Sequence, residues 1–247
     1  MKRAAVLIPT SAGALEGIVH VPEGAPAAAA VVVPGATSRA GTNRKWARLA
    51  DALAAQGIVV LRYDAVDSDA LDDAAGEMRA HEAIDWFRER TDGADLLLCG
   101  LCYGARATLL YAAARRPLGI ALVTPLLKRG IGRRDKLSVH AAQLMTRITV
   151  RTGIRLPSRS KGFDPAIARA LTTIGSSPSP LIVVGERDHQ WRPWWNTSKR
   201  PEALASATIE VVPGLQLHSP RTLETQAAAI ERVTAWAVRT LRERVES

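Results

Sequence analysis

The sequence predicts an α/β fold, a mostly parallel central sheet with helices on both faces, and three observations carry that reading. Short apolar runs of strand length alternate with longer stretches of helical periodicity from Ala29 onward. Several of these runs close on glycine or proline, as Ala29 to Val33 does on Pro34-Gly35 and Leu181 to Val184 on Gly185. The length of 247 residues, with 47% hydrophobic and 23% charged, suits one core with one insertion and excludes a disordered, collagen-like or coiled-coil chain.

The elements follow in order. Lys2 to Ile8 and Leu15 to Val21 read as a hairpin around Ser11-Ala12-Gly13. Ala29 to Val33 is uninterrupted by polar residues, as a strand buried on both faces is. Trp46, Leu49, Ala50, Leu53 and Ala54 make an apolar helix stripe that stops at Gly57. Strand Ile58 to Tyr63, helix Glu77 to Arg90, strand Asp95 to Cys99, helix Ala105 to Arg115 and strand Leu118 to Val123 continue the alternation, which implies parallel strands joined by crossover helices. After Thr124-Pro125 the alternation lapses, which places a basic lid insertion at residues 125–178 within a single domain spanning 1–247. It resumes with strands Leu181 to Val184 and Thr208 to Val212. Leu223, Ala227, Ile230, Val233, Ala237 and Leu241 mark a last helix, whose final turn carries Arg239, Arg242 and Arg244.

The net charge of +9 is local. Between Lys128 and Lys161 stand 10 Lys and Arg against Asp135 alone, while the rest of the chain holds 23 basic and 23 acidic residues. A basic segment of this kind suits an anionic substrate or partner, or a merely solvated insertion. It has few aromatics and no recognised binding motif, so no nucleic-acid partner is expected. No stretch approaches the ~18 apolar residues of a membrane span, and Ala4 to Ile8 before Pro9 is too short for a signal peptide, so a cytoplasmic protein is expected. Cys99 and Cys102 form no disulfide framework, which turns attention to thiol reactivity.

Gly100-Leu101-Cys102-Tyr103-Gly104 lies between an apolar strand and an Ala/Leu-rich helix. On such a turn the nucleophile occupies a strained backbone position, and small residues two before and two after it let the chain bend and expose the side chain. A helix N-terminus favours thiolate over thiol, and the Tyr103 N–H would point at an oxyanion on the attacked carbonyl. A nucleophile of this kind needs a base and the base an orienting acid. His218 precedes the last helix and Asp188 follows the strand ending at Gly185, so both fall on successive strand-end loops, in the chain order nucleophile, acid, histidine.

With these residues the sequence resembles the α/β-hydrolase fold superfamily over nearly its whole length. Its Gly-x-Cys-x-Gly form is similar to the cysteine-nucleophile branch represented by dienelactone hydrolase, and Gly41 to Asp64 looks like small hydrolases associated with the exosortase system and with polyketide clusters. The resemblance implies Cys102 as nucleophile, Asp188 as acid, His218 as general base, and the amides of Ala36 and Tyr103 as oxyanion hole. The chain departs from the family pattern in two places. Pro34-Gly35 stands where His-Gly is usual, and Asp64-Ala65-Val66-Asp67-Ser68-Asp69 lacks both glycines of Asp-x-Arg-Gly-x-Gly-x-Ser.

The remaining candidates are weaker. Cys99 lies inside an apolar strand and reads as buried and inert. His189 adjoins Asp188, and adjacent side chains in a loop diverge. His20, His81 and His140 lack partners at metal-ligand spacing, so neither a metal nor a cofactor is expected. Trp191 and Trp194, with Trp195, follow the acid loop and are expected at a pocket mouth, binding an apolar acyl group. The reading is a hydrolase of an ester, thioester or activated lactone working through an acyl-cysteine. The small-molecule substrate would be anionic or carried on coenzyme A or an acyl-carrier protein. The alternatives are an acyltransferase or thioesterase of specialised metabolism with the same triad, and a non-catalytic binding module for an anionic hydrophobic ligand.

Overall fold

The computed structural model describes residues 1–24, 26–35, 39–64, 74–92, 94–125, 165–175, 179–186, 188, 191, 200, 202–215 and 222–246. Within them lie strands β1 (Lys2–Ile8), β2 (Leu15–Val21), β3 (Ala28–Val33), β4 (Ile58–Tyr63), β5 (Leu96–Leu101), β6 (Gly119–Val123), β7 (Leu181–Gly185) and β8 (Thr208–Val212). The helices are α1 (Lys45–Ala54), α2 (Ala74–Arg90), α3 (Gly104–Arg115), α4 (Pro165–Ile174) and α5 (Leu223–Glu246). None of these helices is long and apolar enough to cross a membrane.

The strands form one sheet in the order β1-β2-β4-β3-β5-β6-β7-β8. β1 and β2 pair antiparallel and β2 joins β4 antiparallel, while every pairing from β4 through β8 is parallel. Chain order reverses at β3, whose neighbours are β4 on one side and β5 on the other. A crevice opens at such a reversal, beyond the carboxyl ends of the strands. The loops after β3 and β5 flank it.

β3, β4, β5, β6 and β7 are buried along their full length, which is why they read as apolar runs without alternation. Two apolar layers result. One holds Val31, Val33 and Leu98 of the sheet with Ile84 and Phe87 of α2 and Leu109 and Tyr111 of α3. The other holds Val32, Val60 and Leu97 with Trp46, Leu49 and Leu53 of α1 and Val233 and Trp236 of α5.

Two expectations change. β5 runs on to Leu101 instead of ending at Cys99, because Gly100 and Leu101 stay paired with Leu122 and Val123 of β6. The lid expected at 125–178 has residues 126–164 and 176–178 outside the described residues, and its α4 packs into the body of the fold. Ile167, Ala170 and Leu171 of that helix are buried in the same apolar layer as α2 and α3. Their spacing is a helical stripe, present in the sequence but obscured by the basic run before it.

The ends of β7 and β8 are drawn together. Glu186 N–H donates to Val212 O at 3.1 Å, and the Gly214 amide donates to Glu186 Oε2 at 3.3 Å. Gly185 is so close to the Leu215 carbonyl that a Cβ there would lie inside van der Waals contact with it. Gly185→Ala is therefore expected to lower stability by about 1–3 kcal/mol, the usual cost of overpacking. Urea denaturation checks this, and an unchanged midpoint would show that the two loops separate freely.

Candidate active site

At the end of β5 the chain turns within Cys102 and Tyr103 to start α3 at Gly104. Cys102 has φ 52°, in the left-handed region, where a residue with a side chain costs roughly 1–3 kcal/mol unless its surroundings enforce it. They do so from three directions. The Cys102 N–H donates to Val123 O of β6 at 3.1 Å, and the Cys102 carbonyl accepts from Ala105 N–H at 3.3 Å. From the loop after β3, Gly35 comes so near that a Cβ on it would stand 2.9 Å from Leu101 O, 3.0 Å from Cys102 Cβ and 3.5 Å from Tyr103 N.

The flanking glycines of the elbow are required by contact. A Cβ at Gly100 would lie 2.5 Å from Thr108 Oγ1 and 2.8 Å from Ala105 Cα, where α3 crosses the strand it has just left. A Cβ at Gly104 would run into the carbonyls of Val33 and Pro34. β5, α3 and the loop after β3 thus meet with no room for side chains between them, and the Cys102 side chain is left partly exposed at the sheet edge. Three positions earlier Cys99 is fully buried, and burial pushes its thiol up to about 12.

Asp188 is buried beyond the end of β7. Its N–H donates to Gly185 O at 2.9 Å and its carbonyl accepts from Trp191 N–H at 3.2 Å, so two tight turns in succession carry it. The Leu215 contact brings the chain leading to His218 beside the first of these turns. His218, Ala36 and Trp194, with His189 and Trp195, lie outside the described residues, as do Ala65 to Asp69 of the segment after β4 and the basic run from Lys128 to Lys161. Cys102, Tyr103, Asp188 and Trp191 are therefore the candidate site residues whose positions the structure gives. Among the described residues no three His, Cys, Asp or Glu side chains group as a metal site.

Trp191 is not at a pocket mouth. Its ring is 2% exposed and belongs to the core layer of α2, α3 and α4, and its Nε1–H donates to Pro125 O at 3.1 Å. An indole inside a core needs such an acceptor, and here the bond ties the loop after β7 to the one after β6.

Reading the sequence for catalytic types missed the groups that hold the loop after β3. Arg62 and His20 are both buried, although each interrupts an apolar strand, Ile58–Tyr63 and Leu15–Val21. A charged or imidazole side chain in such a run is itself a signal of a buried polar partner. Asp64, at the departure from the family pattern, accepts hydrogen bonds from the Arg39 amide and guanidinium.

No family model and no curated protein matches the sequence. Solved structures do. A dienelactone hydrolase from Anabaena variabilis superimposes with a TM-score of 0.66 at 16% identity, covering 96% of this chain and 97% of that one. The α/β hydrolase GrgF from Penicillium sp. sh18 gives 0.64 at 18% identity over 98% and 99%. EstE1, a thermostable carboxylesterase cloned from a metagenomic library, gives 0.65 at 16% over 97% and 89%. Together with the strand order and the strand–elbow–helix at Cys102, these likenesses over almost the full chain establish that it has the α/β-hydrolase fold.

Proposed function

We propose that the chain is a hydrolase that opens an ester, thioester or activated lactone through a Cys102–His218–Asp188 triad and an acyl-cysteine intermediate. The observation that carries this reading is the Cys102 backbone, held at φ 52° on the strand-to-helix turn, with Gly35 of the loop after β3 against it. A fold keeps a strained turn where the strain aims a side chain. Structural likeness to a dienelactone hydrolase and a carboxylesterase supports the same chemistry.

The mechanism follows from the roles. β6 separates β5 from β7, so the strands that lead to Cys102 and Asp188 run about 10 Å apart, a spacing that an imidazole from the loop after β8 would bridge. His218 takes the thiol proton, and Cys102 Sγ attacks the substrate carbonyl carbon. The oxygen, now anionic, accepts from the Ala36 and Tyr103 amides. Collapse breaks the bond to the leaving alkoxide or thiolate, which takes the proton from His218, and water activated by the same imidazole then hydrolyses the acyl-cysteine. Asp188 holds the imidazole in the tautomer this requires. A thiolate is itself a good leaving group, so amides are the poorest substrates. The basic run from Lys128 to Lys161 favours an anionic substrate, or one carried on coenzyme A or an acyl-carrier protein.

The two cysteines give a first test. The folded protein takes one equivalent of iodoacetamide rapidly at neutral pH, on Cys102, and Cys99 reacts only after unfolding. Ordinary slow alkylation of Cys102 would count against an activated nucleophile. Intact-protein mass after brief exposure to acyl thioesters and activated esters gives the second. An acyl adduct is expected on Cys102 and absent in Cys102→Ala. Its decay with and without added acceptors separates hydrolysis from acyl transfer. His218→Ala leaves slow residual turnover, and Asp188→Asn lowers kcat by about 10⁴-fold, less than loss of the nucleophile. Full activity in Cys102→Ala would overturn the assignment, and failure to acylate or turn over with any substrate in the panel would favour a binding module.

A further inference from the structure

A connected row of polar side chains runs from the antiparallel edge of the sheet to the loop after β3. Arg3 of β1, paired across from His20 of β2, holds both oxygens of Asp51 on α1 at 2.8 Å. His20 Nδ1 lies 2.9 Å from Asp51 Oδ1, off the ring N–H direction, so the contact is close but bent. On the other side of the ring, Nε2 accepts from Arg62 Nε of β4 at 2.8 Å. That donor fixes the tautomer, because Nε2 must be unprotonated to accept. Arg62 NH1 then donates to the carbonyl of Arg39 at 3.1 Å. The Arg39 amide and guanidinium go to Asp64, and the guanidinium also meets Glu16 Oε2 at 3.0 Å.

The chemistry of Arg62 is unusual for a buried cation. The residue is 6% exposed, and among the described residues its hydrogen bonds go to an imidazole and a loop carbonyl, with the Asp51 and Asp64 carboxylates acting on it only through their charge. A core selected for stability alone would do as well with an apolar residue there. What the arrangement supplies is a fixed point at Arg39, at the far end of the loop whose near end, Gly35, rests against Cys102. Residue 36 lies between those two points.

We propose that Arg62, held in place by neutral His20, is a positioning residue for the loop after β3, and that protonation of His20 loosens that loop. The catalytic part of this inference rests on the hydrolase reading, in which the Ala36 amide completes the oxyanion hole. A proton on Nε2 would set N–H against N–H and place an imidazolium beside the Arg62 guanidinium. The groups facing His20 are Arg3, Asp51 and Arg62, with Arg39, Asp64 and Glu16 one contact beyond. Burial and the two arginines outweigh Asp51 and hold the His20 pKa below the ordinary histidine value. The neutral form is thus favoured more than in an ordinary histidine and is lost as pH falls through that lowered value.

Two variants test the proposal. Arg62→Met removes both donors, and His20→Gln keeps an acceptor near the Nε2 position but cannot titrate. Arg62→Met is expected to speed amide hydrogen exchange in peptides spanning residues 35–40. It should lower kcat at pH 7.5 by about ten- to a hundredfold, the cost of a misplaced reacting geometry, with KM within twofold and Cys102 alkylation unchanged. In the unmodified protein, exchange of those peptides, corrected for intrinsic rates, should rise on acidification below neutral pH, and His20→Gln should flatten that rise. Exchange unchanged in Arg62→Met, or no difference between His20→Gln and the unmodified protein across pH, would overturn the brace. Faster exchange with unchanged kcat would overturn its positioning role. Absence of turnover in the unmodified protein would instead fail the hydrolase reading, and the exchange comparison would still decide whether the brace holds the loop. Should Arg62→Met fail to fold, the His20→Gln comparison decides alone.

Discussion

The site depends on the closing of the chain at Cys102, where a strand, a helix and a neighbouring loop meet without side chains between them. Gly35, Gly100 and Gly104 each occupy a place where a Cβ would collide with backbone or with Thr108, so the three segments are locked at backbone distance. A positive φ at a cysteine is unfavourable by itself, and these contacts with the hydrogen bonds to Val123 and Ala105 hold the residue in it. The strain is therefore a local cost carried by the packing of the whole sheet centre. It leaves a partly exposed sulfur at the edge of an otherwise buried strand.

From that point the sheet edge is built in steps of one strand. The Cys102 amide reaches Val123 O, the Thr124 amide reaches Val183 O at 2.8 Å, and the Glu186 amide reaches Val212 O. Each loop is thus hydrogen-bonded to the end of the next strand as it leaves its own. Parallel strands make this possible because all of them end at the same edge, and loops from β3, β5, β7 and β8 converge there. Trp191 adds a tie across the loops after β6 and β7, and the Gly185–Leu215 contact one across β7 and β8. Convergence of residues distant in sequence is then a property of the backbone ladder.

Much of this is legible in the residues and some is not, for physical reasons. Strands buried on both faces are apolar almost throughout, Arg62 of β4 being the exception, so β3 to β7 announce themselves, and Gly-x-Cys-x-Gly marks the elbow because neither Gly100 nor Gly104 has room for a Cβ. Strand ends are harder to read. β5 extends through Gly100 because β6 keeps pairing with it, and pairing between distant segments leaves no local mark. α4 carries its stripe at Ile167, Ala170 and Leu171, but its place against α3 is set by tertiary packing, and composition alone suggested a lid. Trp191 could be placed near the site by sequence distance, whereas the direction of its ring follows from the turn at Asp188 and the acceptor at Pro125. His20 and Arg62 come together because β2 runs antiparallel to β4, placing Ile18 opposite Arg62 and His20 one diagonal away on the same face.

Cys99 and Cys102 show how strongly position governs chemistry in this fold. They are three residues apart on one strand and its turn, and no difference in their own composition separates them. Cys99 pairs with Val32 and Ala121 in mid-sheet, packs in the α1 and α5 layer, and has its ionisation suppressed by burial. Cys102 stands beyond the last paired residue, where the strand gives way to the first turn of α3 and orphan helix amides lie nearby. A thiolate at Cys99 would need solvation that a sheet interior cannot supply, while the same charge at Cys102 would meet amide dipoles already oriented by the fold. The distinction between a buried and a partly exposed sulfur is made by where pairing ends, and pairing ends at Cys102, where Gly35 and α3 close over the strand.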